Sequence, residues 1–312
     1  MNVIILAAGI GKRMKSKIPK VLHPILGRPL IRFTFELAHS LNPQKIILVV
    51  PRKFSALKRC IGIKGVTYVI QDPPLGTGDA VRKGIASLNY GSTLILSGDV
   101  PLLKKETISA LIDFHRDHIS DLTIVCARLT NPYGYGRVLK RRDGQIKCII
   151  EETDADKQTK KIKLVNGGIY LANIQPLKQA LAKIKPDNKQ GEYYLTDAVK
   201  IMIKMRNRVF PFTVDDPTEV LGINSKWDLA QVRNIIKERY YMKLTREGVF
   251  IEDPLSTTID LDVKIGSGVT IRPHTVIEGK SVIGNNSMIG PFVWIKDRRV
   301  KDNSVISFKK LI

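Results

Sequence analysis

Isoleucine recurs at every sixth position near the end of this 312-residue chain, and this period limits the possible folds more than any other feature. The repeat consists of Ile259, Ile265, Ile271, Ile277, Ile283, Ile289 and Ile295. A glycine or an acidic residue follows most of these isoleucines. In such repeats each unit stacks on its neighbour and buries a shared apolar core. The pattern therefore predicts a stacked, repetitive segment in which every isoleucine points inward.

The repeat resembles the hexapeptide repeat of a left-handed parallel β-helix. The resemblance implies about two coils, because about three hexads form one coil of that fold. So short a stack buries little core by itself. Related β-helices pack as trimers, so a homotrimer through the β-helix is expected.

Residues 1–226 alternate between predicted strands and predicted helices. The strands are predicted at 3–8, 45–50, 66–70, 93–97 and 122–127, and the helices between them at 30–41, 54–60, 78–88 and 105–118. This alternation predicts an α/β domain with a Rossmann-like, mostly parallel sheet and helices on both faces. Residues 227–248 are predicted to form a charged, solvated linker helix, and residues 249–312 the short β-helix.

Small and basic residues directly follow the first predicted strand. Gly9 and Gly11 would let a ligand approach the backbone closely, and Arg13 and Lys20 add cations. Free backbone N–H groups together with Arg and Lys side chains suit a polyphosphate. The loop matches neither GxxxxGK[ST] nor GxGxxG. The alternative is a tight strand-to-helix turn with a solvated basic face.

Asp99 follows the strand at 93–97, in the segment SGDVPL. Ligands of such sheets bind at the carboxyl ends of the strands, where Gly9 and Asp99 would both lie. Mg²⁺ is commonly bound by one or two carboxylate or carbonyl oxygens, with waters and substrate phosphates completing its shell. Asp99 is therefore a candidate Mg²⁺ ligand, and the alternative is a helix N-cap or a turn aspartate.

The segment LAAGIGKRMKSKIPKVLH at 6–23 resembles the first loop of the sugar nucleotidyltransferases. Within them it is similar to the uridyltransferase half of the bacterial bifunctional uridyltransferase and glucosamine-1-phosphate acetyltransferase family. Four further segments agree with that family: QDPPLGTG at 71–78, GDVPL at 98–102, PYGYGR at 132–137 and QGEYYLTD at 190–197. The resemblance covers nearly the whole chain.

The resemblance implies roles for individual residues. The implied catalytic residues are Arg13 and Lys20. The implied nucleotide-binding residues are Leu6, Ala8, Gly9, Gly11, Arg13, Lys20, Gln71, Gly76 and Thr77. The implied sugar-phosphate-binding residues are Gly136, Glu151, Asn166, Tyr194, Thr196 and Asn224, and the implied Mg²⁺ ligands are Asp99 and Asn224. Gln71 has both a donor and an acceptor, which suits a pyrimidine edge. Packing is the alternative role for the tyrosines.

The implied reaction forms UDP-N-acetylglucosamine, a cell-wall precursor, and pyrophosphate from UTP and N-acetylglucosamine 1-phosphate. Four positions depart from the family's pattern and bear on efficiency and sugar preference: Lys12 stands where threonine is usual, Asp79 where histidine is common, Thr153 where a basic residue is common, and Gly167 where threonine is usual. The alternatives are a uridyl- or thymidylyltransferase for another sugar 1-phosphate and a non-catalytic regulatory subunit. Retention of four residues together argues against the regulatory subunit: Arg13, Lys20, Asp99 and Asn224.

The acetyltransferase half of the family has no counterpart in this sequence, so a monofunctional enzyme is expected. In the family the acetyl-CoA site lies on later coils, with a catalytic histidine. The histidine in the repeat here is His274, which is predicted to be an exposed corner residue rather than a displaced catalytic base.

The formal net charge is +22, which suits either nucleic-acid binding or steering of anionic substrates. The cations are spread along the chain and aromatic residues make up 6%, so a solvated basic surface without nucleic-acid binding is expected. The apolar runs are too short to cross a bilayer. Three cysteines without metal-ligand spacing and the lack of a visible secretory signal predict a cytoplasmic protein. His115 and His118 are predicted to lie on the polar face of a helix.

Overall fold

The computed structural model describes residues 1–9, 11–62 and 65–308, which form two compact units. The first unit comprises Met1–Leu22 and Leu30–Asn224, and the second comprises His23–Pro29 and the chain from Ser225 onward. The division at 1–226, 227–248 and 249–312 stays a prediction, and its last four residues lie outside the described ones.

The strands up to residue 224 are β1 (Asn2–Leu6), β2 (Pro24–Ile25), β3 (Arg28–Pro29), β4 (Ile46–Val50), β5 (Val66–Ile70), β6 (Ser92–Ser97), β7 (Leu122–Arg128), β8 (Arg137–Lys140), β9 (Ile146–Ile150), β10 (Leu164–Asn173) and β11 (Val209–Thr213). The α-helices are α1 (Leu30–Ser40), α2 (Ser55–Ile61), α3 (Thr77–Ile85), α4 (Lys105–Asp117), α5 (Ile174–Leu181), α6 (Leu195–Lys204) and α7 (Lys226–Arg246). The strands and helices named in the sequence prediction all form, with small shifts at their ends.

Within the described residues, the first unit contains a nine-stranded sheet whose main path runs β11-β7-β10-β6-β1-β4-β5. Strand β1 pairs in parallel with β4 and β6, β4 with β5, and β11 with β7. Strand β10 runs antiparallel to β6 and β7, and β8 pairs antiparallel with both β10 and β9. The predicted α/β class with a mostly parallel central sheet is confirmed.

Both faces of the sheet are buried, which explains why β4 is apolar throughout and β1 is apolar after Asn2. Ile4 packs into a core with Val81 of α3 and Leu177 of α5. Its neighbours Val3 and Ile5 belong to a second core. Because side chains alternate across a strand, one apolar run supplies both cores. The carboxyl ends of β1 and β6 then lie side by side, since Leu6 pairs with Ser97.

The second unit contains a left-handed β-helix. Its strands are β12 (Phe250–Ile251), β13 (Thr258–Ile259), β14 (Lys264–Ile265), β15 (Thr270–Ile271), β16 (Val276–Glu278), β17 (Val282–Ile283), β18 (Met288–Ile289), β19 (Trp294–Lys296), β20 (Arg299–Val300) and β21 (Val305–Ile306). They form three parallel sheets, ordered β12-β15-β18-β21, β13-β16-β19 and β14-β17-β20. The repeated isoleucines pack into one core, as predicted.

The expected number of coils was wrong. Val300 follows Ile295 after one residue fewer than the repeat, yet it pairs with Ile283 and continues the same sheet. Ile306 likewise pairs with Ile289. Each of the three sheets therefore has at least three strands within the described residues, and the stack exceeds two coils.

Helix α7 is more buried than the predicted solvated linker. Ser225 and Asp228 form a reciprocal capping box at its start. Near its end, Tyr241 and Leu244 enter the core of the β-helix. The Tyr241 hydroxyl donates a hydrogen bond to the Thr257 carbonyl at 2.9 Å. Charged residues surround these apolar positions, which is why no apolar stripe was visible in the sequence.

The hairpin of β2 and β3 also belongs to the second unit. Its turn places Leu26 and Gly27 at positive φ, 44° and 80°. The Leu261 N–H donates to the Leu26 carbonyl at 3.0 Å, and Arg28 forms an ion pair with Asp262 at 2.6 Å. These contacts tie the hairpin to the loop that precedes β14.

Candidate active site

The loop after β1 brings a glycine against a lysine side chain. Ala7 and Ala8 are buried and Gly9 is exposed. Gly11 has φ 65°, and a Cβ on it would lie 2.7 Å from the Cβ of Lys20. Gly11 is therefore required both by the backbone conformation and by the close passage of the Lys20 side chain.

The four residues with predicted catalytic or metal-binding roles form one cluster. The Lys20 ammonium contacts the Asp99 carboxylate and donates to the Asn224 Oδ1 at 3.1 Å. The Arg13 guanidinium donates to the same Asn224 oxygen at 2.9 Å. The predicted catalytic pair and the predicted metal pair thus meet at one point.

Backbone hydrogen bonds fix this meeting point. The Gly98 N–H donates to the Leu6 carbonyl at 2.9 Å, which joins the ends of β1 and β6. The Ile223 N–H donates to the Asp99 carbonyl at 3.0 Å, which brings Asn224 beside Asp99. Lys104 binds the chain shortly before Asn224, because its ammonium pairs with Asp216 at 2.9 Å and with Glu219 at 3.4 Å.

A cleft of about 770 Å³ opens at this cluster. Its lining includes the predicted nucleotide-binding residues Leu6, Ala8, Gly9, Gly11, Lys20, Gln71, Gly76 and Thr77, together with Asp99 and Asn224. Arg13 is exposed and contacts the lining residue Asn224. The lining also includes Gln190 and Glu192, to which the sequence analysis assigned no role. Both residues belong to the segment QGEYYLTD, in which the sequence analysis assigned roles only to Tyr194 and Thr196.

The wall formed by the start of α3 is tightly packed. The Gly78 N–H donates to the Tyr193 carbonyl at 2.7 Å, and the Tyr193 N–H donates to the Leu75 carbonyl at 2.8 Å. A Cβ on Gly76 would lie 2.6 Å from the Tyr193 carbonyl oxygen. The segment before α6 therefore fixes the loop that carries Gly76 and Thr77.

The predicted sugar-binding residues form a second cluster. Thr196 donates from its hydroxyl to the Glu151 carboxylate at 2.9 Å, and Gly136 packs against that carboxylate. The Asn166 N–H donates to the Gly136 carbonyl at 2.9 Å. Tyr194 directly precedes α6, which begins at Leu195 and contains Thr196. Apart from Asn224, these residues are not among those that line the 770 Å³ cleft.

The electrostatics of Glu151 differ from those of an ordinary surface carboxylate. Its pKa is raised above its ordinary value, because burial disfavours the charged form more than the hydrogen bond from Thr196 favours it. The carboxylates of Asp154 and Asp197 raise it further. Burial therefore disfavours the negative charge of Glu151 even with the hydrogen bond from Thr196, and a further donor would reduce that cost.

The oxygens of Asp99 and Asn224 fit a divalent cation. Both contact the Lys20 ammonium, so they already converge on one positive charge. No group of three or more His, Cys, Asp or Glu side chains suited to a metal occurs among the described residues. Mg²⁺ is commonly bound by one or two protein oxygens, with phosphate oxygens and waters completing its coordination shell.

Several residues outside the cleft have structural roles. His115 is buried and its Nδ1 lies 2.8 Å from the Thr123 hydroxyl, so its predicted place on a polar helix face was wrong. His118 stacks on Phe114. Burial raises the pKa of the Cys126 thiol well above its usual range. No helix in the described ranges is long and apolar enough to span a membrane.

Two family models match the chain. One is described as a MobA-like NTP transferase domain and covers residues 3–152. The other is described as a bacterial transferase hexapeptide of six repeats and covers residues 262–297. The chain thus contains a nucleotidyltransferase domain and hexapeptide repeats. A crystal structure of UDP-glucose pyrophosphorylase complexed with UDP-glucose matches with a TM-score of 0.64 at 20% identity. The match covers 78% of this chain and 98% of that one, and it shows a shared fold.

Curated relatives match over almost the whole length. The bifunctional protein GlmU of Acetivibrio thermocellus is 41% identical over 313 residues, which is 98% of this chain and 68% of the relative. The bifunctional protein GlmU of Brevibacillus brevis is 36% identical over 314 residues, 100% of this chain and 68% of the relative. The chain therefore spans about two thirds of the length of these relatives and belongs to the GlmU family.

Proposed function

We propose that this protein is a Mg²⁺-dependent uridyltransferase that forms UDP-N-acetylglucosamine and pyrophosphate from UTP and N-acetylglucosamine 1-phosphate. One observation carries the proposal: Arg13, Lys20 and the oxygens of Asp99 and Asn224 meet at the carboxyl ends of β1 and β6. Cations beside acceptor oxygens suit a polyphosphate and its counter-ion.

The reaction is an in-line displacement at phosphorus. A phosphate oxygen of the sugar 1-phosphate forms a bond to the α-phosphorus of UTP, and the bond to the bridging oxygen of pyrophosphate breaks. The nucleophile is already anionic, so no proton has to be removed and no covalent enzyme intermediate is needed. Catalysis then depends on positioning and on neutralising charge.

The cluster supplies that neutralisation. Lys20 would contact the α-phosphate, and Arg13, which is exposed, would contact the departing pyrophosphate. Asp99 and Asn224 would bind Mg²⁺, which supplies additional positive charge to phosphate oxygens when bound. Pre-positioned charges of this kind stabilise the transition state because they need no reorganisation during the reaction.

The second cluster supports the sugar assignment. Glu151 is a partly buried acceptor that suits a sugar hydroxyl, and Asn166 offers an amide for a hydroxyl or an acetamido group. The Asn166 side chain is oriented by its contact to the Tyr170 hydroxyl at 2.6 Å and by the Gly168 N–H at 3.0 Å. Fixed polar groups of this kind favour one substrate over analogues that leave them unpaired.

A pyrophosphate-release assay over a grid of nucleotides and sugar 1-phosphates tests the proposal. We expect the highest kcat/KM with UTP and N-acetylglucosamine 1-phosphate and no turnover without divalent metal. A preference for glucose 1-phosphate or for dTTP would instead indicate a transferase for another sugar. Absence of turnover with every pair would favour a regulatory subunit.

Two matched pairs of variants test the cluster. Arg13→Ala should lower turnover by about two orders of magnitude, as expected for the loss of one charge-stabilising donor. Its control is Arg116→Ala, since Arg116 lies on α4 and, among the described residues, forms ion pairs only with the neighbouring carboxylates of Asp113 and Asp117. Asp99→Asn should weaken the Mg²⁺ dependence, whereas Asp113→Asn on α4 should not. Unchanged turnover in Arg13→Ala would contradict the assignment.

A further inference from the structure

Asp79 is a buried carboxylate beside the cleft. It lies in the first turn of α3 and is 1% exposed. Arg82 donates to its Oδ1 at 2.7 Å, and the Lys83 ammonium lies 3.3 Å from its Oδ2. Gln71 donates to the same Oδ2 from its side-chain Nε2 at 3.0 Å. Burying a carboxylate costs free energy unless it is paired and hydrogen-bonded, and these three side chains meet that condition. One of the three, Gln71, lines the cleft.

The contacts of Gln71 leave one orientation for its side-chain amide. Nε2 also donates to the Gly76 carbonyl at 2.9 Å. A carboxylate and a carbonyl oxygen both accept and cannot donate, so both hydrogens of the amide must face them. The Oε1 atom accordingly points away from Asp79 and Gly76. Gln71 is 4% exposed and lines the cleft, and among the described residues no hydrogen bond to Oε1 is found. The side chain thus offers the cleft an acceptor.

An acceptor at this point distinguishes the nucleobases. The ring N3 of uracil carries a hydrogen and donates, whereas N3 of cytosine has a lone pair and accepts. Two facing acceptors repel each other and leave both groups unpaired, which is costly in a buried site. An amide that could rotate freely would accommodate either base.

We propose that Asp79 is a positioning residue that orients the Gln71 amide, so that the cleft selects nucleotides whose base has a ring N–H and rejects CTP. This inference rests on the proposed uridyltransferase function and adds the origin of its base selectivity. Asp79 acts through Gln71 and contacts no substrate itself.

The charge of Asp79 makes this orientation reliable. Burial would raise its pKa, but the hydrogen bonds from Gln71 and Arg82 and the charge of Lys83 more than offset it, so the pKa lies below its ordinary value. The group remains an acceptor at neutral pH. An asparagine could present its Nδ2 instead, and Arg82 would draw the carbonyl oxygen of that asparagine toward itself.

The experiment compares kcat/KM for UTP and CTP in two variants. Lys83→Met is the control, because it removes one cation and keeps the contact between Asp79 and Gln71. Asp79→Asn combined with Lys83→Met leaves Arg82 as the group that orients the new amide, so that Nδ2 faces Gln71. Two donors then face each other, and only the Gly76 carbonyl still supports the present orientation of the Gln71 amide. We expect the ratio of UTP to CTP to fall at least about tenfold in the double variant relative to the control.

A second variant and the wild-type protein complete the test. Asp79→Leu removes the carboxylate and leaves the Gly76 carbonyl as the one acceptor described for the Gln71 amide, so the amide is held less firmly and the ratio should also fall. Thermal melting verifies that each variant is folded. If wild type does not prefer UTP to CTP, the proposed function itself fails. If wild type prefers UTP and the ratio is unchanged in both Asp79 variants, the proposed function stands and the role of Asp79 is overturned.

Discussion

At the scale of single residues, burial changes the pKa of Glu151. Its pKa lies above the ordinary value chiefly because of burial. Between the ordinary and the raised pKa the folded protein keeps a proton that the unfolded chain releases. Stability contributed by this group is therefore full below the ordinary pKa and is lost as pH rises through the raised one.

Glu151→Gln isolates this effect. Gln can still accept the hydrogen bond from Thr196 but carries no charge, so the variant should be more stable than wild type at neutral pH. The difference should shrink as pH falls from neutral through the raised pKa toward the ordinary value. Urea unfolding of both proteins at several pH values measures it. A difference that grew on acidification would contradict the raised pKa.

His274 carries a second prediction at this scale. It is exposed at a corner of the β-helix with φ 56°, and its ring stacks on Phe292 at 4.9 Å between centroids. Its ring forms no hydrogen bond with any described residue, so nothing orients it as a general base. Incubation with glucosamine 1-phosphate and acetyl-CoA should release no coenzyme A above background. Saturable release that disappears in His274→Ala would refute this.

The sequence predicted those residues of the cleft that come after the carboxyl ends of predicted strands. Gly11, Lys20 and Asp99 follow predicted strands, and parallel pairing forces those ends together. The dual contact of the Lys20 ammonium could not be foreseen, because it depends on the path that brings Asn224 back beside β6. The contact between Asp79 and Gln71 could not be foreseen either, because it depends on how the side-chain amide of Gln71 is oriented.

Among the elements, the β-helix is the one that its sequence specifies most fully, since each hexad places one isoleucine in the core. The shortened repeat between Ile295 and Val300 was not predicted, because the six-residue pattern is interrupted where one residue is missing. The hairpin of β2 and β3 escaped because its turn uses Leu26 at positive φ rather than the usual Asn-Gly or Asp-Gly. Helix α5 was missed because Pro176 lies within its first turn, where proline is tolerated.

Ile277 tests the packing of the β-helix. It is fully buried in the middle of the stack, so Ile277→Ala should lower the free energy of unfolding of this element by about 2–5 kcal/mol through lost burial and a cavity. Val305→Ala is the control, because Val305 belongs to the same β-helix but is 70% exposed. Urea unfolding followed by far-ultraviolet circular dichroism measures both. Equal losses in the two variants would contradict an inward stack of isoleucines.

At the scale of the whole molecule, the β-helix presents large apolar side chains to solvent. Phe292 is 62% exposed and Trp294 is 69% exposed, and they lie two residues apart on one coil. Exposed apolar patches of this kind mark surfaces that other molecules cover. Hexapeptide repeats commonly form trimers, and we expect a homotrimer through the β-helix.

Sedimentation velocity of the protein at micromolar concentration tests this expectation, and a trimer should be the main species. Trp294→Lys should shift the distribution toward monomer, because it places a charge on a surface that the trimer would bury. Leu255→Lys is the matched control: Leu255 is 88% exposed but lies outside the hexapeptide repeat, so the trimer should persist. A wild-type monomer across the concentration range would rule the trimer out. A trimer unaffected by Trp294→Lys would mean that the subunits meet through another face of the coils.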